Sequence, residues 1–208
     1  MKTKIVILSI LISYLSIGVG LSQSREEMIS SLDGAFKLES TSVVFSKVIE
    51  VEDVDAATLF DRVLPFFSYR DDLYGYEVSV TNRQSNYIIA QGVYKSIIYS
   101  FNSALGYLTK INADHVVRVD FKDNRLKVEV TLVSAKEYRS NGLNGPLRYY
   151  STMNYSLMYP ANPQEKEKLS RSEKKDLELF YKTQSNVNIT FDNILKFAKK
   201  DNSSDSDW

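Results

Sequence analysis

The sequence predicts an α+β fold with an antiparallel sheet, in the element order β-α-β-β-β-β-α. Three observations support this fold class. Strand patterns follow one another while helical patterns stand apart, a two-residue turn joins two alternating strands, and a long stretch with helical spacing comes near the end. An N-terminal signal helix and a long C-terminal helix complete the predicted architecture. One face of the sheet should pack on helices, and the other should face water or a partner.

Residues 1–22 read as a secretory signal peptide. Lys2 and Lys4 precede an apolar run at 5–21, and the small residues Gly20 and Ser22 suit the positions before a cleavage site. Cleavage is therefore predicted directly after Ser22. The alternative is an uncleaved anchor, since a membrane span needs roughly 17–25 residues. Serines within the run and its small-residue exit favour cleavage.

The first elements of the mature chain follow a polar segment, 23–42, which is interpreted as a linker with at most one loose helical turn. Residues 43–51 alternate and are rich in β-branched side chains, which predicts a strand. Asp55 can cap a helix whose apolar residues recur every three or four positions. Pro65 lacks a backbone N–H, so this helix should kink or end near it.

Two further strands are predicted at 76–81 and 87–99. The polar segment 82–86 joins them as a hairpin. Gly92, inside the second strand, indicates a bulge or a close approach of another group to the backbone.

The turn Asp123-Asn124 gives the firmest local prediction, because a two-residue loop fixes the register of its hairpin. The predicted pairs are Lys122 with Arg125, Phe121 with Leu126, Asp120 with Lys127, Val119 with Val128, Arg118 with Glu129, and Val117 with Val130. The apolar pairs then share one face and the opposite-charge pairs share the other. A slip by one residue would bury the charges.

The last third of the chain contains a Tyr-rich turn and charged linker at 141–171, in which 148–159 is expected to form either an extra strand or a packed loop, and then a long amphipathic helix at 172–200. Ser170 and Glu173 have the spacing of a capping box at the helix start. The helix is expected to pack on the domain. Residues 201–208 are acidic and serine-rich, and are predicted to be a disordered tail.

Composition excludes several chemistries. The chain has 26 basic and 26 acidic residues and no basic stripe, so nothing favours nucleic acid. It has no cysteine, which excludes disulfides, thiolate metal sites, a cysteine nucleophile and the lipid-bearing cysteine of a lipoprotein.

No catalytic residue, metal site or cofactor is predicted. The single histidine, His115, falls opposite Leu132 and is interpreted as a half-buried residue at a strand end rather than a general base. The acidic residues between Glu50 and Asp55 lack the spacing of a calcium loop, and the following helix dipole explains them. There is no serine elbow and no phosphate-binding loop.

Tyrosine is the compositional exception, with 14 residues against 1 tryptophan. The cluster Tyr149, Tyr150, Tyr155 and Tyr159 is predicted to bind a ligand, because tyrosine offers an apolar face with a polar tip. The alternative is ordinary sheet packing, since aromatic residues favour strands.

Several of these elements together resemble a known family. They are the strand at 45–51, the helix with Leu59-Phe60, the strand at 89–94 and the hairpin at 119–126. They are similar to a domain of unknown function with a TATA-binding-protein-like (TBP-like) fold, found in exported proteins of Gram-negative gut bacteria. The resemblance implies a TBP-like α+β domain at 43–140 and an exported protein. Pro65 departs from the family pattern, and the fold name does not imply DNA binding.

The function expected from the sequence is that of an exported, non-catalytic binding module of unknown ligand, in the periplasm or outside the cell. Its partner would be an envelope protein or a glycan, and it would touch the membrane only through an uncleaved signal segment. One alternative is a small hydrolase that uses carboxylates. The other is a structural subunit of an envelope complex.

Overall fold

The computed structural model describes residues 24–68, 74–102, 106–142, 145–160 and 162–200. Its helices are α1 (Arg25–Leu32), α2 (Ala56–Ser68), α3 (Tyr155–Met158) and α4 (Arg171–Lys199). Its strands are β1 (Lys37–Leu38), β2 (Val43–Glu50), β3 (Tyr74–Asn82), β4 (Tyr87–Asn102), β5 (Tyr107–Lys122), β6 (Arg125–Asn141) and β7 (Arg148–Asn154). The predicted signal peptide and acidic tail lie outside the described residues. Of the helices described, none has the length and apolarity to cross a membrane.

All strand pairs in the single sheet are antiparallel, in the order β1-β2-β6-β5-β4-β3. The predicted α+β class with an antiparallel sheet is therefore confirmed. Strand β6 is central to the sheet, because β2 pairs with its residues 125–132 and β7 pairs with 134–139 on the same side.

The register of the β5–β6 hairpin is as predicted in every pair, and His115 does lie opposite Leu132. Asn124 takes the left-handed conformation (φ 62°) that the two-residue turn requires. The predicted opposite-charge pairs face each other across the hairpin, Arg118 with Glu129 and Asp120 with Lys127. The short ion pairs lie along each strand, with 2.7 Å between Arg118 and Asp120 and 2.7 Å between Lys127 and Glu129.

The hairpin turn also holds the loop that leads into α2. Asn124 N donates to Val54 O (2.8 Å), and Val54 N donates to Asn124 Oδ1 (3.1 Å). Asp123 Oδ1 accepts from Ala56 N at 3.0 Å, and Asp55 Oδ1 accepts from Thr58 N at 2.8 Å, which confirms the predicted cap. These two carboxylates share the orphan N–H groups of the first helical turn.

Helices α2 and α4 cover one face of the sheet and form the core with it. Burial of each large apolar side chain contributes about 1.5–3 kcal/mol. The helix residues that lie in this core include Leu59, Phe60, Val63, Phe67, Leu177, Phe180, Val187, Phe191 and Ile194. The α2 helix continues for three residues past Pro65, up to Ser68, where the described part of this segment stops.

The segment 23–42, predicted as a linker, contains α1 and β1 instead. Ser24 and Glu27 form a capping box, and Ile29 and Leu32 are buried. The helix packs against α4, where Gln184 Nε2 donates to Ser31 O at 2.7 Å. Only two positions of this polar helix are buried, which is too few to give a clear amphipathic pattern.

In the segment 141–171, predicted as a turn and linker, the extra strand that the sequence left open at 148–159 is present as β7, while the short helix α3 was not predicted. Strand β7 adds to β6 beyond the point where β2 ends, and α3 follows it directly. The capping box Ser170–Glu173 is present and starts α4.

Candidate binding surface

The outer face of the sheet is the surface that the described helices leave open, because they all pack on the inner face. Outward-pointing side chains on β5 and β6 are mostly polar or charged, as expected for a solvated face. Two features interrupt this pattern: a line of tyrosines near one end of the sheet, and a cleft beside it.

Three tyrosines and one lysine form a line across four strands. Tyr99 on β4 lies opposite Lys110 on β5, Lys110 lies opposite Tyr138 on β6, and Tyr138 lies opposite Tyr149 on β7. We call these four residues the aromatic row. Directly paired residues share a face, and strands lie about 4.8 Å apart, so the row is about 14 Å long.

The aromatic row is accessible at both ends. The exposed fractions of Tyr99 and Tyr149 are 62% and 60%. The rings of Tyr138 and Tyr149 meet edge to face at 6.2 Å, and the Tyr149 hydroxyl lies 2.9 Å from Thr152 Oγ1. Offset or edge-to-face contact is the favoured geometry of aromatic pairs, so these two rings hold each other in place.

Backbone irregularities create the row. The β4–β5 ladder shifts by two residues between Tyr94 and Ile98, where Ser96 has φ 57° and its N–H donates to Asn112 Oδ1 at 2.9 Å. A regular ladder would place Tyr99 opposite Leu108, not Lys110. The bulge therefore sets which side chains meet in the row.

The cleft next to the row has a volume of about 470 Å³. It lies where β6 carries one extra residue, Val133, opposite the Asp114–His115 step. Its lining residues are Glu77, Gln91, Gly92, Val93, Asp114, His115, Val116, Val133, Ser134 and Lys136. The cleft is thus lined by both valine and polar side chains.

One polar network crosses this cleft. Lys136 Nζ lies 2.8 Å from Asp114 Oδ2, and Ser134 Oγ donates to the same oxygen at 2.8 Å. The hydrogen bond to Asp114 raises the pKa of Lys136. The charges of Lys136 and Asp114 offset each other.

The four tyrosines predicted as a ligand site do not share one surface. Tyr149 and Tyr150 are both exposed, but Tyr149 contacts Tyr138 on the outer face while Tyr150 contacts Arg139 on the inner face. Tyr155 is fully buried, with its hydroxyl 2.9 Å from Thr183 Oγ1, and burial raises its pKa. Tyr155 can therefore bind no ligand from solution.

The fourth residue of that cluster, Tyr159, packs against Phe36 and Phe180 with ring centroids 5.1 and 4.9 Å apart. Ordinary packing, the alternative that the sequence left open, therefore accounts for Tyr155 and Tyr159. The aromatic row contains Tyr99 and Tyr138 instead of Tyr155 and Tyr159. The sequence could not show this, because their neighbours depend on bulges.

His115 is buried, not half-buried at a strand end as predicted, because β4, β5 and β6 all continue beyond it. Its ring stacks on Tyr94 at 3.8 Å and fills the space above Gly92. A Cβ atom added to Gly92 would lie 2.7 Å from His115 Nε2, which confirms the predicted close approach at this glycine. Burial lowers the pKa of His115 to about 4.

The surroundings of His115 exclude a role as general base for an external substrate. Its exposed fraction is 2%, Nδ1 lies 3.4 Å from Ala113 O, and Nε2 has no hydrogen-bond partner among the described residues. The nearby hydroxyls of Tyr76 and Tyr94 both lie within 3.2 Å of Thr190 Oγ1. The ring is part of the core.

The geometry of the cleft does not support the alternative of a hydrolase that uses two carboxylates. Glu77 and Asp114 lie two strands apart and two residues out of line, which separates their Cα atoms by about 12 Å. Asp114 also turns toward β6, away from Glu77. The two carboxylates of a glycosidase flank one bond of the substrate, whereas Asp114 is engaged by Ser134 and Lys136 on its own side of the cleft.

The acidic residues before α2 stabilise the start of that helix. The pKa of Asp55 is lowered by hydrogen bonds from Thr58, as expected for a cap. In the part of the chain that the structure describes, no group of three or more acidic or histidine side chains is arranged to hold a metal ion.

Comparisons with known proteins agree with this fold. Residues 45–136 match the family model of a domain of unknown function (DUF4468) with TBP-like fold. A TBP-like protein from Parabacteroides distasonis has a similar structure, with TM-score 0.51 and 18% identity, over 79% of this chain and 97% of that one. A DUF4468 family protein from Bacteroides ovatus has TM-score 0.54 and 14% identity, over 82% and 94%.

No curated protein matches the chain. At these identities the two solved structures show the fold alone. The match over residues 45–136 confirms the resemblance seen in the sequence: this part of the chain is similar to the DUF4468 domain with a TBP-like fold.

Proposed function

We propose that this chain is an exported, non-catalytic binding module whose ligand is a glycan that lies along the aromatic row. The observation that carries the proposal is the continuous line Tyr99, Lys110, Tyr138 and Tyr149 across the open face of the sheet. The signal-peptide pattern of residues 1–22 supports export.

A sugar ring needs two kinds of contact. Its C–H faces are apolar and pack on aromatic rings, while its hydroxyl groups need hydrogen-bond partners. The row offers aromatic faces with polar tips, and the next pair of outward residues toward the cleft, Asn112 and Lys136, adds an amide and an ammonium group. This mixture suits an uncharged, polar ligand with flat faces.

The shape of the surface favours an extended ligand. The row lies on an open sheet face and continues into the cleft at Lys136, so a chain of sugars would run from Tyr149 toward Asp114. The Asp114 and Lys136 charges neutralise each other, which makes the cleft neutral in sum. The carboxylate geometry described above supports binding without hydrolysis.

The experiment uses protein recovered from the periplasm or medium of a Gram-negative host, with its N-terminus sequenced first; Gln23 is expected. Affinity electrophoresis against a panel of envelope and dietary polysaccharides then compares wild type with Tyr99→Ala and Tyr149→Ala. Each variant should weaken binding about tenfold or more, as for a central aromatic contact. Tyr87→Ala, an outer-face tyrosine at the other end of the sheet, is the matched control and should bind as wild type.

Retention by none of the polysaccharides would refute the glycan as ligand. Equal retention of wild type and both row variants would refute the row as its site. A mature N-terminus other than Gln23, with the apolar run still attached, would contradict the cleavage proposed here.

A further inference from the structure

A pair of arginines lies on the inner face of the sheet. It is at the same end of the sheet as the aromatic row, beyond the part that the helices cover. Arg139 on β6 is directly opposite Arg148 on β7. Like charges that face each other across an antiparallel pair are destabilising. Such a pair needs a compensating negative charge.

Arg139 is held rigidly. Its Nε donates to Glu137 Oε1 at 2.8 Å, and its guanidinium carbon lies 3.4 Å from the ring centroid of Tyr150 and 5.1 Å from that of Tyr107. The exposed fraction of Glu137 is 4%, so this carboxylate is fixed in turn. Stacking between two aromatic rings and a bond at Nε leave the Nη edge of the guanidinium free to bind something else.

Nothing in the described part of the chain occupies that edge. The only hydrogen bond of the Arg139 side chain there is the one from Nε, and Arg148 makes neither a hydrogen bond nor an ion pair with the described residues. Two arginines therefore face each other on neighbouring strands, and the one carboxylate bound there, Glu137, is paired with Arg139 alone. A structural role explains Arg139, but it does not explain a second arginine placed against it.

We propose that Arg139 and Arg148 form a binding site for one oxyanion group, a phosphate or a carboxylate. Guanidinium is planar and offers parallel N–H donors that match two oxygens of such a group. An oxyanion between the two side chains would accept from Arg139 Nη and from Arg148, and would remove their repulsion. Tyr150 and Tyr107 keep Arg139 in the required orientation before the anion arrives.

This site is separate from the aromatic row. Tyr149 and Tyr150 are neighbours on β7, but they serve opposite faces of the sheet, because Tyr149 meets Tyr138 and Tyr150 meets Arg139. The two proposals can therefore fail independently.

The test is an NMR titration of the whole mature protein that follows the arginine Nε–Hε signals. Inorganic phosphate, acetate and chloride are added in parallel at constant ionic strength. Phosphate or acetate should shift the Arg139 and Arg148 signals in a saturable way, with a dissociation constant on the order of 1 mM, and chloride should not. A response to phosphate alone or to acetate alone also supports the site and identifies the preferred oxyanion.

Two variants and one control complete the experiment. Arg148→Gln should weaken the affinity about tenfold or more, and Arg148→Lys should recover only part of it, because an ammonium lacks the planar fork. Arg171→Gln removes an equal charge from the exposed start of α4 and should leave the affinity unchanged. The backbone spectrum of each variant reports its fold.

Three results would overturn the proposal. They are the absence of a saturable shift with either oxyanion, an equal response to chloride, and an Arg171→Gln variant that loses as much affinity as Arg148→Gln. The last two would mean that the anions respond to overall charge and not to the arginine pair.

Discussion

The polar groups at the two ends of the β5–β6 hairpin have opposite surroundings. At the turn, Asp123 and Asn124 bind the loop before α2 through side chains and backbone. At the far end, Tyr99 and Tyr149 are exposed and Arg148 lacks a partner among the described residues. One end uses its polar groups to hold the fold together, while at the other end these groups are exposed or lack a partner among the described residues. Binding is therefore expected at the far end, and stability should depend on the turn and the core.

The largest effect is expected at His115, near the middle of the hairpin, when the pH is lowered. Its pKa is about 4 in the folded protein, while an unfolded histidine titrates near 6.5. Between these values the unfolded chain binds the proton and the folded chain does not, so stability falls as the pH falls from 6.5 to 4. The full loss is about 3 kcal/mol, at 1.36 kcal/mol for each unit of pKa difference.

Urea unfolding at pH 7, 5.5 and 4.5 measures this loss, with His115→Gln as the reference. The variant has the same carboxylates but no imidazole, so its stability should fall less steeply over this range. Among the described residues, the only charged group that acts on the ring is Asp114, and its influence raises the histidine pKa without offsetting burial. Parallel curves for wild type and variant would show that His115 does not titrate as its burial requires.

The next effect is expected at the turn. Asn124→Ala should destabilise the protein by about 1.5 kcal/mol, because alanine is strained at φ 62° and the acceptor for Val54 N is lost. Asn124→Gly accepts that φ and loses only the hydrogen bond, so it should cost about half as much. Thermal unfolding of both variants separates the two terms. A glycine variant as unstable as the alanine variant would mean that φ is not what the turn requires.

The sequence predicted this turn end well and the far end poorly, for a physical reason. A two-residue turn sets the register of everything next to it, so the pairs from Lys122–Arg125 to His115–Leu132 could be predicted. Past that point, extra residues at Ser96, Val133 and Tyr150 shift the ladders. Bulges follow from packing and leave little trace in a single sequence.

The same limit explains the tyrosine site. The sequence grouped Tyr149, Tyr150, Tyr155 and Tyr159 because they are close along the chain, but neighbours on a strand point to opposite faces. Tyr99, which is fifty residues before Tyr149, joins it only through the β4 bulge. Helix α1 was missed for a different reason: its capping box is visible, but its buried face has only two residues.

The smallest effects distinguish the two kinds of tyrosine directly. The Thr183 hydroxyl donates to Leu179 O, so the Tyr155 hydroxyl donates to Thr183, and both groups are buried. Tyr155→Phe removes that bond and should cost about 1 kcal/mol. Tyr149→Phe removes a hydroxyl from an exposed residue and should change stability by less than about 0.5 kcal/mol. Urea unfolding of the two variants compares them under equal conditions. If Tyr149→Phe cost as much as Tyr155→Phe, the far end would be part of the stability core, and its exposed tyrosines would need no ligand to explain them.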